Sequence, residues 1–176
     1  IKEYLSHAHP NRKIKFVNID KTTGPGSGPG YSLLLCEKFL KCPFIFSTSD
    51  TLVVESVPKP SENWFGVAPI SPKRDTENYC TVKIDNNLIT QIDDKTKNDN
   101  KFLFIGLAAV KDYKIFFSNL KYNQGHIKNE IQVSNGFKGL LNQGLKSISF
   151  TWYDTGSYEN YKITSEVYSD EPFDFS

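Results

Sequence analysis

Residues Lys2 to Leu5 have the character of a helix interior, and Lys13 to Ile19 then alternate polar and apolar positions, with β-branched Ile14, Val17 and Ile19. This predicts a short amino-terminal helix followed by a strand. After the glycine-rich stretch Gly24 to Gly30, the run Tyr31 to Leu40 has helical apolar spacing, and Pro43 to Phe46 is continuously apolar, as a strand buried on both faces would be. Strand, loop, helix and strand in about forty residues make a βαβ unit, so a parallel sheet core of α/β class is expected. Further strands are predicted at Trp64–Pro69, Tyr79–Ile84, Leu88–Ile92, Phe102–Val110 and Ser147–Trp152. Asp85-Asn86-Asn87 should turn a hairpin between the second and third of these. Helices are predicted over Asp112–Leu120, around Phe137, Leu140 and Leu141, and from Tyr158 onward.

Composition narrows the class. With 176 residues, 38% of them hydrophobic and 23% charged, the chain is long enough for one globular core. Lys and Arg (21) nearly balance Asp and Glu (20), and no basic tract carries interleaved aromatics, so a nucleic-acid partner is not expected. The longest apolar runs fall well short of the roughly 20 residues that span a bilayer, so no membrane partner is expected either. Cys36, Cys42 and Cys80 form an odd set without metal-ligand spacing, which suits reduced structural thiols in a cytoplasmic protein. The count of zero methionines, with Ile at position 1, suggests a piece of a longer protein.

Two features carry candidate chemistry. Gly24-Pro25-Gly26-Ser27-Gly28-Pro29-Gly30 places four glycines between a predicted strand and helix, where backbone amides could cradle a phosphate; a plain flexible turn is the alternative. Asp50 and Asp154 each follow an apolar strand, so both could project at one sheet edge as hard oxygen ligands for Mg²⁺, or each could cap a helix. Lys95 ends a strand but shares its surroundings with Lys97 and Lys101, which favours a solvated face. His7, His9 and His126 lack partners at triad-like spacing, so nucleophilic catalysis is not expected.

Several segments, taken in order, resemble the sugar-phosphate nucleotidylyltransferase family from Ile1 to about Tyr168. Gly28-Pro29-Gly30-Tyr31-Ser32-Leu33-Leu34 is similar to that family's G-T-A-x-A-L segment. Phe46-Ser47-Thr48-Ser49-Asp50 is similar to its strand ending in Gly-Asp, with Ser49 in place of Gly. Trp64-Phe65-Gly66-Val67 and Phe104-Ile105-Gly106-Leu107 resemble its two glycine-bearing strands. Ile92-Asp93-Asp94-Lys95 resembles V-x-E-K with Asp94 for Glu, and Glu130-Ile131-Gln132-Val133-Ser134-Asn135 resembles E-I-T-D-x-N with Ser134 for Asp. Trp152-Tyr153-Asp154-Thr155-Gly156-Ser157 is similar to W-x-D-x-G-T/S.

The resemblance implies a Rossmann-like, open, mixed and mainly parallel sheet flanked by helices, the fold of nucleotide-diphospho-sugar transferases, as one domain over residues 1–176. It implies Mg²⁺-dependent transfer of a nucleoside monophosphate from a nucleoside triphosphate to a sugar 1-phosphate or similar small phosphate, with release of pyrophosphate. Asp50 and Asp154 would hold the metal and Lys95 the acceptor phosphate, these three forming the catalytic set. Gly28, Pro29, Gly30 and Ser49 would border the nucleotide; Gly66, Gly106 and Glu130 would contact the acceptor. A homo-oligomer is left open, and surface-polysaccharide precursor synthesis is a setting by resemblance only.

The family's amino-terminal strand with its G-G-x-G-x-R/L loop has no counterpart here, so the sheet is expected to lack its first strand and the isolated chain to be catalytically dead. Robust pyrophosphate release with CTP, UTP, dTTP or GTP and a panel of sugar phosphates would refute this. The competing expectations are a non-catalytic nucleotide-sugar-binding or regulatory module of the same fold, and an unrelated α/β domain in which Asp50 and Asp154 are caps.

Overall fold

The computed structural model describes residues 1–71, 76–122, 126–127 and 129–168. In chain order the elements are α1 (Lys2–Ala8), α2 (Pro29–Cys36), β1 (Phe44–Ser47), β2 (Thr51–Val53), β3 (Trp64–Pro69), β4 (Cys80–Asp85), β5 (Leu88–Asp94), β6 (Phe102–Val110), α3 (Tyr113–Tyr122), β7 (His126–Ile127), β8 (Glu130–Ile131), α4 (Ser134–Lys138), β9 (Lys146–Ser149), β10 (Trp152–Asp154) and α5 (Tyr158–Tyr168). Gly125 and the aromatic, acidic run from Ser169 onward lie outside the described residues. Among those described, no helix is long and apolar enough to cross a membrane.

The main sheet has six strands in the order β1-β6-β3-β9-β5-β4, and β4 also pairs back to β6. The sheet is therefore mixed and partly closed rather than open. It is also mostly antiparallel: β3 and β9 run parallel, with Phe65 opposite Ser147, whereas β1–β6, β3–β6, β4–β5, β5–β9 and β4–β6 run antiparallel. The expectation of a mainly parallel sheet fails for a physical reason. A continuous apolar run carries no information about strand direction, and in β1 it does not even mark burial on both faces, since Ile45 is 37% exposed.

The expected strand at Lys13–Ile19 is absent too. That segment is irregular, and Ile14, Phe16 and Ile19 are 38%, 37% and 43% exposed. Alternation makes a segment able to pair, but no described strand lies beside this one, so there is no βαβ unit at this place. The helix after the glycine loop forms as expected, with Pro29 at its first position, where a missing N–H costs nothing. The Asp85–Leu88 hairpin also forms as expected, with both Asn86 (φ 47°) and Asn87 (φ 63°) left-handed, as a two-residue turn matched to strand twist requires.

Strand β6 organises the core. Leu103, Ile105, Leu107 and Ala109 point to one face and pack with Trp64, Ala68 and Phe150. Ala108 and Val110 point to the other, beside Phe65, Phe44, Phe116, Phe117 and Phe137 from β3, β1, α3 and α4. Phe65 and Phe104 stack with centroids 3.8 Å apart and planes 5° from parallel, and Phe137 meets Phe65 edge-on at 4.8 Å. Asn63, buried just before β3, accepts the backbone amides of Lys111 (2.9 Å) and Asp112 (3.1 Å) and donates to the Asp112 carboxylate (2.6 Å), fixing the turn from β6 into α3.

Candidate active site

Thr51 in β2 pairs with Asp154 in β10, Leu52 with Tyr153, and Val53 with Trp152. This two-stranded ribbon brings Asp50, the residue before β2, beside Asp154, the last residue of β10. A point one carbon out from the Gly156 backbone lies 3.1 Å from Asp50 Oδ2 and 3.2 Å from Asp154 Oδ1, so the two carboxylates converge on one small volume. The Thr155 amide donates to the Asp50 carbonyl at 3.0 Å, which closes the ribbon at this end.

The two aspartates differ in how firmly they are held. The Asp154 carboxylate accepts from the Gly156 amide (2.9 Å), Asn160 Nδ2 (2.8 Å) and the Tyr79 hydroxyl (3.3 Å), and its carbonyl accepts from Thr164 Oγ1 (3.0 Å). Its bond to the amide two residues on is the local turn-forming role open to any Asp. The Asp50 side chain is exposed, and among the described residues nothing donates to its carboxylate. Together they supply two hard oxygen donors, one oriented and one available. That set fits Mg²⁺, which takes one or two carboxylates and completes its shell with water and substrate phosphates. Among the described residues no group of three or more His, Cys, Asp or Glu side chains forms a fuller metal cage.

Both aspartates border a cleft of about 330 Å³ whose wall also includes Pro29, Thr48, Tyr79, Cys80, Asp94, Lys95, Gly106, Ser134 and Trp152. Lys95 follows β5 with a left-handed backbone (φ 52°), held by its amide donating to the Tyr79 carbonyl at 3.0 Å. Gly106 reaches the cleft through a bulge in β6. Phe65 pairs with Ala108 and Val67 with Phe104, so Ile105, Gly106 and Leu107 oppose Gly66 alone. Gly106 has φ 80° and its carbonyl accepts the Thr48 amide at 2.8 Å.

The remaining expected site residues lie elsewhere. Gly66 does not border the cleft; a side chain there would meet the Leu107 carbonyl at 2.7 Å. Gly28 and Gly30 serve close packing: a Cβ would approach Glu130 Cβ at 2.8 Å from the first and the Ile131 carbonyl at 2.7 Å from the second. The glycine loop is docked on this segment, with the Ile131 amide donating to the Ser27 carbonyl and the Gly26 amide to the Asn129 carbonyl, both at 2.7 Å. Glu130 is partly buried there and accepts from Gln132 Nε2 at 3.3 Å. Ser49 borders a neighbouring apolar hollow between α2 and β1, which shares Pro29 and Thr48 with the cleft.

Sequence reading missed the buried part of the cleft. Asp94 is 7% exposed and accepts the Ser134 hydroxyl at 2.5 Å, and the Cys80 thiol nearby is pushed well above its usual range by burial and then by the Asp94 charge. Asp94 and Ser134 stand out in the sequence only as departures from two motifs, and nothing in the residue pattern around Tyr79 or Cys80 marks those two.

No family model matches the chain, and no curated protein matches it in sequence. Solved structures match its fold. A UDP-glucose pyrophosphorylase complexed with UDP-glucose superposes with a TM-score of 0.73 at 17% identity, covering 97% of this chain and 73% of its own. A Bacillus anthracis protein assigned as a glucose-1-phosphate thymidylyltransferase, in complex with sucrose, gives 0.69 at 18% identity over 86% of this chain. The inositol-1-phosphate CTP transferase from T. maritima gives 0.57 at 19% over 83%. The fold is that of the sugar-phosphate nucleotidylyltransferases. Within it the chain spans 65% of the length of the Bacillus anthracis protein and 64% of that of the T. maritima one. In this nucleotidylyltransferase fold the cleft lies where the β6 bulge, the end of β5 and the β2–β10 ribbon meet.

Proposed function

We propose that this chain carries the cleft of a Mg²⁺-dependent nucleotidylyltransferase, which transfers a nucleoside monophosphate from a nucleoside triphosphate to a sugar 1-phosphate or similar small phosphate. The observation that carries the reading is the convergence of Asp50 and Asp154 in one cleft with Lys95. In the reaction an oxygen of the acceptor phosphate bonds to the α-phosphorus, the bond from that phosphorus to its bridging oxygen breaks, and pyrophosphate leaves with the electron pair. Asp50 and Asp154 would hold the metal ion, which supplies charge neutralisation to the reacting phosphates. Lys95 attracts the acceptor phosphate by its charge, and its braced backbone limits where the ammonium can go. Gly106 serves the bulge at the cleft wall, where a side chain would collide with Thr48.

The three donors on Asp154 favour a second reading, in which this residue only braces the turn into α5. One experiment separates the two. CTP, UTP, dTTP and GTP are titrated into the chain by calorimetry with and without Mg²⁺, and the titrations are repeated with Asp50→Asn, a substitution outside the brace. The enzyme reading expects Mg²⁺-dependent binding of at least one nucleotide, weakened about 10- to 100-fold by Asp50→Asn. Absence of Mg²⁺-dependent binding for all four nucleotides would sink it.

A further inference from the structure

Tyr79 stands between the two halves of this cleft. Its carbonyl accepts the Lys95 amide at 3.0 Å and its hydroxyl donates to Asp154 Oδ2 at 3.3 Å. The residue is itself anchored: its amide donates to the Thr76 carbonyl at 3.1 Å, and its ring packs against the core layer built from Trp64, Leu103 and Ile105. One residue thus grips a carboxylate on the β2–β10 ribbon with its side chain and the backbone of the cleft's lysine with its main chain.

We propose that Tyr79 is a positioning residue, setting the orientation of Asp154 and its spacing from Lys95; its consequence for ligand binding rests on the roles assigned to those two residues above. A carboxylate used as a metal ligand must present a lone pair in a fixed direction, and donors on its other oxygen lone pairs supply that direction. Asn160 at 2.8 Å and Tyr79 at 3.3 Å share Oδ2, while the Gly156 amide holds Oδ1. Asn160 and Gly156 belong to the same stretch of chain as Asp154 and move with it. Tyr79 comes from 75 residues away and ties the ribbon to the main sheet.

The test is Tyr79→Phe in the full chain, which removes the hydroxyl and keeps the ring packing and the carbonyl bond to Lys95. Two quantities are measured: hydrogen exchange of the Gly156 amide by NMR, which reports how firmly Asp154 is held, and the Mn²⁺ dissociation constant by titration. Gly156 exchange should quicken at least about threefold and Mn²⁺ affinity should fall about tenfold, with the thermal midpoint within a few degrees of the parent. Unchanged Gly156 exchange, or unchanged Mn²⁺ affinity in a chain that binds Mn²⁺, would overturn the proposal. A parent chain that binds no Mn²⁺ would overturn the metal reading instead, and the exchange rate would then decide the role of Tyr79 by itself.

Discussion

The Ser134 hydroxyl donates to the Asp94 carboxylate at 2.5 Å, with both residues buried in the wall of the cleft. These are the two positions at which the chain departs from the acidic residues of the resembling motifs, and they touch. Acidic side chains at both would set two carboxylates in contact with little water to screen them; a hydroxyl at 134 turns that repulsion into a hydrogen bond. Ser134→Ala should cost about 1–3 kcal/mol in urea unfolding, because it strips the donor from a buried carboxylate. Ser134→Asp should cost more than Ser134→Ala, because it sets a second carboxylate against the first. A Ser134→Ala loss under about 0.5 kcal/mol would mean that the pair adds nothing beyond an ordinary surface contact.

The three thiols should separate kinetically under alkylation at pH 8. Cys42 is exposed and should react first, and Cys36, whose pKa burial raises, more slowly. Cys80 should be slowest, since burial and the Asp94 charge both disfavour its thiolate. Asp94→Asn removes the second cause and should speed Cys80 labelling severalfold. Mass spectrometry of timed samples gives the order, and Cys80 labelling as fast as Cys42 would contradict it.

Glu55 supplies a small acid-labile clasp. Its carboxylate accepts the Thr151 hydroxyl at 2.7 Å and the Thr151 amide at 2.9 Å, and these bonds hold its pKa below the usual glutamate value. The folded form therefore binds its proton less readily than the unfolded form. The stabilisation is present above the ordinary glutamate pKa of about 4.3 and is lost as pH falls through the lowered one. The group is exposed, so the effect is modest. Thermal melts from pH 7 to pH 3 should show Glu55→Gln less stable than the parent at neutral pH and converging with it in acid; a constant gap across that range would contradict the assignment.

Gly106→Ala should destabilise the bulge by about 1–3 kcal/mol, since φ is 80° there and a Cβ would collide with Thr48 Oγ1. Thr48→Ala in the same chain should recover part of the loss, because the collision is with that side chain. Additive losses in the double variant would place the strain in the backbone alone.

Local pattern made most elements legible. The Asn86-Asn87 turn, the helix after the glycine loop and the aromatic face of α3 follow from residue chemistry acting over a few positions. Lys13–Ile19 shows the limit of such reading, because alternation describes readiness to pair and a partner strand is a property of the whole sheet. The glycine loop shows another: its glycines could equally admit a phosphate or a neighbouring backbone, and the described contacts are with Glu130 and Ile131.

The sequence by itself determined where the chain is apolar, where it turns, and that Asp50 and Asp154 each lie at a strand end. Tertiary structure alone decided that β2 and β10 pair in the register that sets these aspartates side by side, and that β6 runs antiparallel to β1, β3 and β4 alike. It also decided that Asp94 meets Ser134, 40 residues away. The division has a physical cause: backbone propensity and side-chain period act over a few residues, whereas register, strand direction and the approach of two buried polar groups are settled when the whole core packs.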